Sequence, residues 1–245
     1  MIGRFLDLTN LSEGATEQDI IDLCSLAKEN PTIVAGVCSW PIFADVIKNE
    51  LQNTDLKTVC VLNFPHGHSC DMDNEIKKHK IVLQAFCDEI DVVFDYGYVK
   101  KTTGANSGNV LKTKDIFGKK TVKVILESGI LSPYECQMAA HDAINSGADF
   151  LKTSTGKTAI YGNEMCNIGA TPLAVKIMCN EIAHHYSKTK RKVGIKVSGG
   201  VKTNDQAQEY IEIVRELLGD EWLVPELFRI GIGTTSNLLN EWKTN

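Results

Sequence analysis

Short runs of β-branched and other apolar residues alternate with amphipathic stretches from one end of the chain to the other. The runs predict strands at Arg4–Leu8, Ile33–Cys38, Thr58–Asn63, Ile90–Phe94, Thr121–Leu126, Phe150–Thr153, Val193–Val197 and Leu227–Ile230. Sequences such as TVCVLN and VKVILE are nearly continuous apolar runs, the pattern of strands buried on both faces. The stretches between them carry helix punctuation. Ser132-Pro133-Tyr134-Glu135 reads as a capping box with proline at the first helical position, and Gly147 as the stop. Thr203 to Gln206 opens a second helix, whose apolar positions Ile211, Val214, Leu217 and Leu218 end at Gly219. Thr16 to Asp19 resembles a weaker cap ahead of Ile20, Ile21, Leu23 and Leu26.

Strand starts recur roughly every 25 to 45 residues with one helical stretch in each interval, so eight βα units fill the 245 residues. That arithmetic predicts an α/β fold, a closed (β/α)8 TIM barrel, as a single domain over residues 1–245. A doubly wound open sheet uses the same units. It usually has fewer strands and an early glycine-rich turn, and none follows the first strand here.

Composition narrows the partners. Acidic side chains outnumber basic ones 31 to 26, giving a net charge of -5, which argues against nucleic acid or an anionic membrane as the partner. Asp7 interrupts the first residues where a signal peptide needs an apolar run, and no window approaches the ~18 apolar residues of a membrane span. The eight cysteines include no C-x-x-C pair, and several sit in strand or helix patterns as small hydrophobes, so a reduced, cytoplasmic protein is expected.

In a βα barrel the chemistry collects at the C-terminal ends of the strands. Asp91 in EIDVVFD, Lys152 in FLKTSTGK and Lys196 in GIKVSGG each stand within or at the end of an otherwise apolar run. One such lysine is commonly solvated or paired with a carboxylate. Two lysines and an aspartate on three strands suggest a shared site. An amine in apolar surroundings beside another cation loses its proton more readily and becomes a nucleophile for carbonyls, while a carboxylate moves protons. Aldol cleavage needs that set. Ser198-Gly199-Gly200-Val201 and Gly231-Ile232-Gly233-Thr234-Thr235 follow the seventh and eighth strands, the usual barrel position for an anion held by backbone N–H groups. Thr153 to Lys157 after the sixth strand adds hydroxyls and an ammonium. Trp40 lies just after the second strand, where it either walls the pocket or packs between barrel and helix. His66 and His68 after the third strand form an H-x-H that could hold a divalent metal, but His79, His141, His184 and His185 all fall in predicted helices.

Along nearly its whole length the chain resembles deoxyribose-phosphate aldolase, a class I aldolase family. The matching stretches are LDLTNL, VCSWP, VLNFPHG, EIDVVFDYG, KVILESG, DFLKTSTGK, GIKVSGGVKT and FRIGIG. The resemblance implies reversible cleavage of 2-deoxy-D-ribose 5-phosphate to D-glyceraldehyde 3-phosphate and acetaldehyde, as in deoxyribonucleotide catabolism, with no metal and no cofactor. By motif match, Lys152 is the Schiff-base lysine. Lys196 lowers its pKa and joins in proton transfer, and Asp91 is the proton donor and acceptor acting through a water. Asp7 matches a carboxylate orienting this network, and Cys38 a pocket position. Thr155, Gly156, Lys157, Gly199, Gly200, Gly231, Gly233 and Thr234 are the candidates around the phosphate. The expected partner is a phosphorylated sugar, with a homodimer left open.

The family's last phosphate turn usually ends in serines, whereas this one ends in Thr234-Thr235; a loop from Tyr161 to Ile168 is additional. Several members carry a tyrosine on a C-terminal tail, while this chain reads Trp242-Lys243-Thr244-Asn245, and its last helix is expected around Leu238 to Trp242. Two other readings keep parts of the pattern. One is a phosphosugar-binding barrel without catalysis, and the other a barrel metallohydrolase using His66 and His68.

Overall fold

A computed structural model describes residues 3–102, 104–157, 160–161, 164–166, 169–233 and 236–243. The first half of the chain forms β1 (Leu6–Thr9), α1 (Glu17–Lys28), β2 (Val34–Ser39), α2 (Ala44–Glu50), β3 (Lys57–Leu62), α3 (Met72–Phe86), β4 (Glu89–Val93), α4 (Tyr96–Thr102) and α5 (Gly108–Phe117). The second half forms β5 (Thr121–Ile125), α6 (Pro133–Asn145), β6 (Phe150–Lys152), β7 (Ile160–Tyr161), β8 (Glu164–Met165), α7 (Pro172–Thr189), β9 (Gly194–Ser198), α8 (Asn204–Leu218), β10 (Phe228–Gly233) and α9 (Leu238–Lys243). Eight of the strands close in the order β1-β10-β9-β6-β5-β4-β3-β2, every neighbouring pair parallel. This is the expected (β/α)8 barrel. Among the described residues no helix is long and apolar enough to cross a membrane.

The local signals work as read. Thr16, Ser132 and Thr203 each accept from the backbone N–H three residues on, and each forms a full capping box. Thr171, which the sequence reading passes over, caps α7 ahead of Pro172. Gly219 ends α8 with φ 95°. Two elements differ from expectation. The last barrel strand runs on through Gly231 and Gly233, which pair with Asp7 and Thr9, so these glycines belong to the strand rather than to a turn after it. At Gly231 the reason is space: a Cβ there would lie 3.0 Å from the Ser198 Cβ and 3.3 Å from the Lys196 Cε. Within the extra loop, β7 and β8 pair as a small antiparallel hairpin.

The strands are buried on both faces, as their composition suggests, but the faces differ in kind. Leu6, Leu8, Ile90, Val92, Val122, Val124, Leu151, Ile195, Val197, Phe228 and Ile230 join the apolar cluster shared with the helices. The alternate positions hold Asp7, Glu89, Asp91, Lys123, Lys152, Lys196 and Arg229, all buried. Since successive side chains point to opposite faces, these seven charges turn toward the barrel axis. Apolar side chains complete the interior: Cys38, Val59 and Val61 cluster with Leu11 on the β2–β3 side, and Val93 and Ile125 cluster at the ends of β4 and β5.

Candidate active site

Strand pairing brings the predicted trio together. Lys152 on β6 and Lys196 on β9 are register partners, as are Asp91 on β4 and Lys123 on β5. The Nζ atoms of Lys152 and Lys196 each donate to the same Oδ2 of Asp91, both at 2.8 Å. Lys196 also donates to Asp7 Oδ2 at 2.5 Å, and Arg229 Nη1 to Asp7 Oδ1 at 2.6 Å. Closer to the strand starts the chain of charges continues. Arg229 Nη2 reaches Glu89 Oε1 at 2.9 Å, Glu89 accepts from Lys123, and Lys123 Nζ lies 3.3 Å from Asp91 Oδ1.

Burial alone favours the neutral forms of Asp7, Asp91 and Lys196, and pairing keeps them charged. Desolvation pushes the Asp91 carboxyl up, but the Lys123, Lys152 and Lys196 ammonium groups together hold it well below the usual carboxylate range. Asp7 is held low in the same way, desolvation being outweighed by Lys196 and Arg229. Lys196 is affected in the opposite direction: burial favours its neutral form, yet Asp7 and Asp91 raise it above the ordinary lysine value. Asp91 and Asp7 are therefore ionised and Lys196 protonated near neutral pH. Cys38 is fully buried, and desolvation pushes its thiol up to about 11, so it is uncharged at neutral pH.

Above this stack lies a cavity of about 320 Å³. Its wall includes Lys152, Thr155, Gly156, Lys157, Gly199, Gly200, Gly231 and Gly233, so eight of the predicted site residues meet in one space. Asp7, Asp91, Lys196 and Cys38 are fully buried and are not part of that wall. Thr234 lies outside the described residues. Lys202, not anticipated from the sequence, adds a further cation to the wall. The loop before α7 meets the turn after β9 closely: Gly169 has φ 112°, and a Cβ there would sit 2.1 Å from the Gly199 carbonyl oxygen, while Ala170 N–H donates to that oxygen at 3.0 Å. Within the turn after β6, the Gly156 and Lys157 amides donate to Ser154 Oγ and Thr155 Oγ1, each at 3.0 Å. Ser154, Thr155, Gly156 and Lys157 of this turn line the cavity together with Gly199 and Gly200.

The sequence reading also passes over Glu89, Lys123 and Arg229. Their signal is the one that marks Asp91, a charge at an inward position of an apolar run. His66 and His68 stack on each other with centroids 5.7 Å apart, exposed and away from this cavity. Among the described residues no three His, Cys, Asp or Glu side chains are grouped so as to hold a metal ion. Trp40 packs edge-on against Phe64 and donates its indole N–H to the Ser12 carbonyl at 3.1 Å, beside the cavity rather than on its wall.

No known family's sequence model matches the chain. Comparison with solved structures is more informative. A protein from Toxoplasma gondii ME49, described as a "putative deoxyribose-phosphate aldolase", superposes with a TM-score of 0.82 at 25% identity, over 98% of this chain and 93% of that one. In fold, the chain is similar to deoxyribose-phosphate aldolases. A protein of the same description from Coccidioides immitis matches at TM-score 0.80 and 24% identity, over 98% of this chain and 85% of that one. The deoxyribose phosphate aldolase of Aeropyrum pernix, described as tetrameric, matches at 0.75 and 22%, over 99% and 91%. The segments that resemble deoxyribose-phosphate aldolase most specifically, DFLKTSTGK and GIKVSGGVKT, are β6 and β9 with their following loops, which carry both lysines and much of the cavity wall.

Proposed function

We propose that the protein is a class I aldolase that reversibly cleaves 2-deoxy-D-ribose 5-phosphate to D-glyceraldehyde 3-phosphate and acetaldehyde. One observation carries the reading. Among the described residues, Lys152 is the one buried cation on the wall of the cavity that Lys157, Lys202, Gly199 and Gly200 also line, and it shares a carboxylate oxygen with Lys196.

The neutral Lys152 amine attacks C1 of the open-chain sugar, and water leaves to give an iminium. The C3 hydroxyl gives up its proton as the C2–C3 bond breaks, and the bonding pair moves into the iminium to form an enamine. Glyceraldehyde 3-phosphate departs. C2 of the enamine takes a proton, and hydrolysis frees acetaldehyde and the amine. Asp91, ionised, is suited to accept a proton in this sequence, and Lys196, protonated and bonded to Asp91, to return one. The phosphate sits in the outer cavity, where the ammonium groups of Lys157 and Lys202 and the Gly199-Gly200 turn supply charge and donors.

Borohydride reduction in the presence of acetaldehyde tests this reading. The expected result is a reduced two-carbon adduct on Lys152, located by peptide mass mapping. An adduct found mainly on Lys196 or on surface lysines overturns the assignment.

A further inference from the structure

Glu127, in the loop between β5 and α6, is 1% exposed and adopts a left-handed φ of 54°. It belongs to none of the roles assigned above, yet its carboxylate holds the turn that follows Lys152. Oε1 accepts from Ser154 Oγ at 2.5 Å and from the Thr155 N–H at 3.3 Å. Oε2 accepts from Thr155 Oγ1 and, at 3.3 Å, from the same N–H.

A hydroxyl has a single proton, so the acceptor that takes it fixes where the oxygen's lone pairs point. Glu127 accepts the hydroxyl hydrogen bonds of both Ser154 and Thr155, and the lone pairs left free receive the Gly156 and Lys157 amides, each at 3.0 Å. Gly156 then turns with φ 72°, close enough that a Cβ would stand 3.6 Å from the Gly199 Cα. A buried carboxylate beside a site for a phosphate dianion opposes binding by charge alone. Its use must therefore lie in the shape it imposes.

We propose that Glu127 is a positioning residue for phosphate recognition: by accepting the Ser154 and Thr155 hydroxyl hydrogen bonds it folds the 154–157 turn so that Lys157 faces the Gly199-Gly200 turn across the anion. Preference for a phosphorylated over an unphosphorylated sugar depends on this carboxylate. The identity of the sugar rests on the aldolase reading, while the phosphate-binding role does not.

Glu127→Gln keeps the size of the side chain but replaces one acceptor oxygen with an amide donor, leaving one of the two hydroxyls without its acceptor. The expected effect is a fall of about tenfold or more in the ratio of kcat/KM for 2-deoxyribose 5-phosphate to that for 2-deoxyribose, expressed through KM. Affinity for inorganic phosphate, measured by calorimetry, should fall by a similar factor. Parallel losses on both sugars with the ratio preserved would place Glu127 in support of Lys152 and overturn the proposal. So would undiminished phosphate affinity, or a wild-type protein that binds no phosphate. If the wild type cleaves neither sugar while Glu127→Gln still weakens phosphate binding tenfold, the aldolase reading fails and the positioning role stands. Should Glu127→Gln not fold, Thr155→Val must reproduce the loss of phosphate affinity and Thr155→Ser must restore it; any other pattern overturns the proposal.

Discussion

Along β4, Ile90 and Val92 pack among apolar side chains shared with the helices, while Glu89 and Asp91, one residue away, join a network of charges on the barrel axis. The same division runs through β1, β5, β6, β9 and β10. Each fully buried aliphatic side chain of the outer face contributes about 1.5–3 kcal/mol to folding. The inner face costs desolvation energy that ion pairing about offsets, so it adds little net stability. Stability and chemistry are thus separated by one position along a strand. The inner face can hold seven ionisable side chains because the outer face does not depend on it.

The largest test of this division is Lys152→Ala. Turnover should be abolished, since among the described residues the other amines on the cavity wall, Lys157 and Lys202, are exposed rather than buried. The calorimetric unfolding midpoint should hold or rise, because three cations then face three carboxylates. A variant that keeps turnover would move the reaction off the inner face. Lys196→Leu should lower turnover by about 10²-fold or more through lost proton transfer and lost electrostatic tuning of its neighbour. Near-wild-type rates in steady-state assays would make Lys196 purely structural. Leu151→Ala, adjacent to Lys152 but facing outward, should reverse the pattern. Unfolding by urea should show a loss of about 2–5 kcal/mol, while turnover per folded molecule stays within about threefold.

Dependence on pH follows from the directions of the shifts. Asp7 and Asp91 lie below the ordinary carboxylate value of 3.8 in the folded protein, so their stabilisation is present above that value and is lost as pH falls through the lower folded values. Lys123 and Lys196 are raised above 10.5, so theirs is present below that value and is lost as pH rises beyond it. The urea midpoint should therefore be level between about pH 5 and 9 and drop below about pH 4. A drop already at pH 6 would mean that the inner carboxylates are not held low. The smallest effect is expected from prolonged chelation, which should leave turnover unchanged. Inactivation reversed by a divalent ion would bring His66 and His68 into the reaction.

The barrel is readable from sequence because its outer face imposes an apolar residue at every second position, and the inner face rarely breaks the run with more than one charge. Lys152, Lys196 and Asp91 stand out for that reason. Glu89 and Arg229 carry the same mark but sit near strand starts, where a charge usually meets solvent. The closing stretch of β10 is harder to read. Gly231 and Gly233 look like a turn in one dimension, while in the barrel Gly231 makes room for the Lys196 side chain. Glu127 is hidden for a different reason: its partners lie 27 and 28 positions further along the chain, beyond any local pattern.

Lys152 and Lys196 are separated along the chain by α7 and the β7–β8 hairpin, yet their Cα atoms are direct partners in neighbouring strands. Their spacing is therefore set by the interstrand repeat of about 4.8 Å and not by the length of the connection between them. The stretch between the 154–157 turn and α7 can therefore change in length without moving one amine relative to the other. A replacement must still bring a residue without a side chain to the place of Gly169, where the backbone meets the Gly199 turn.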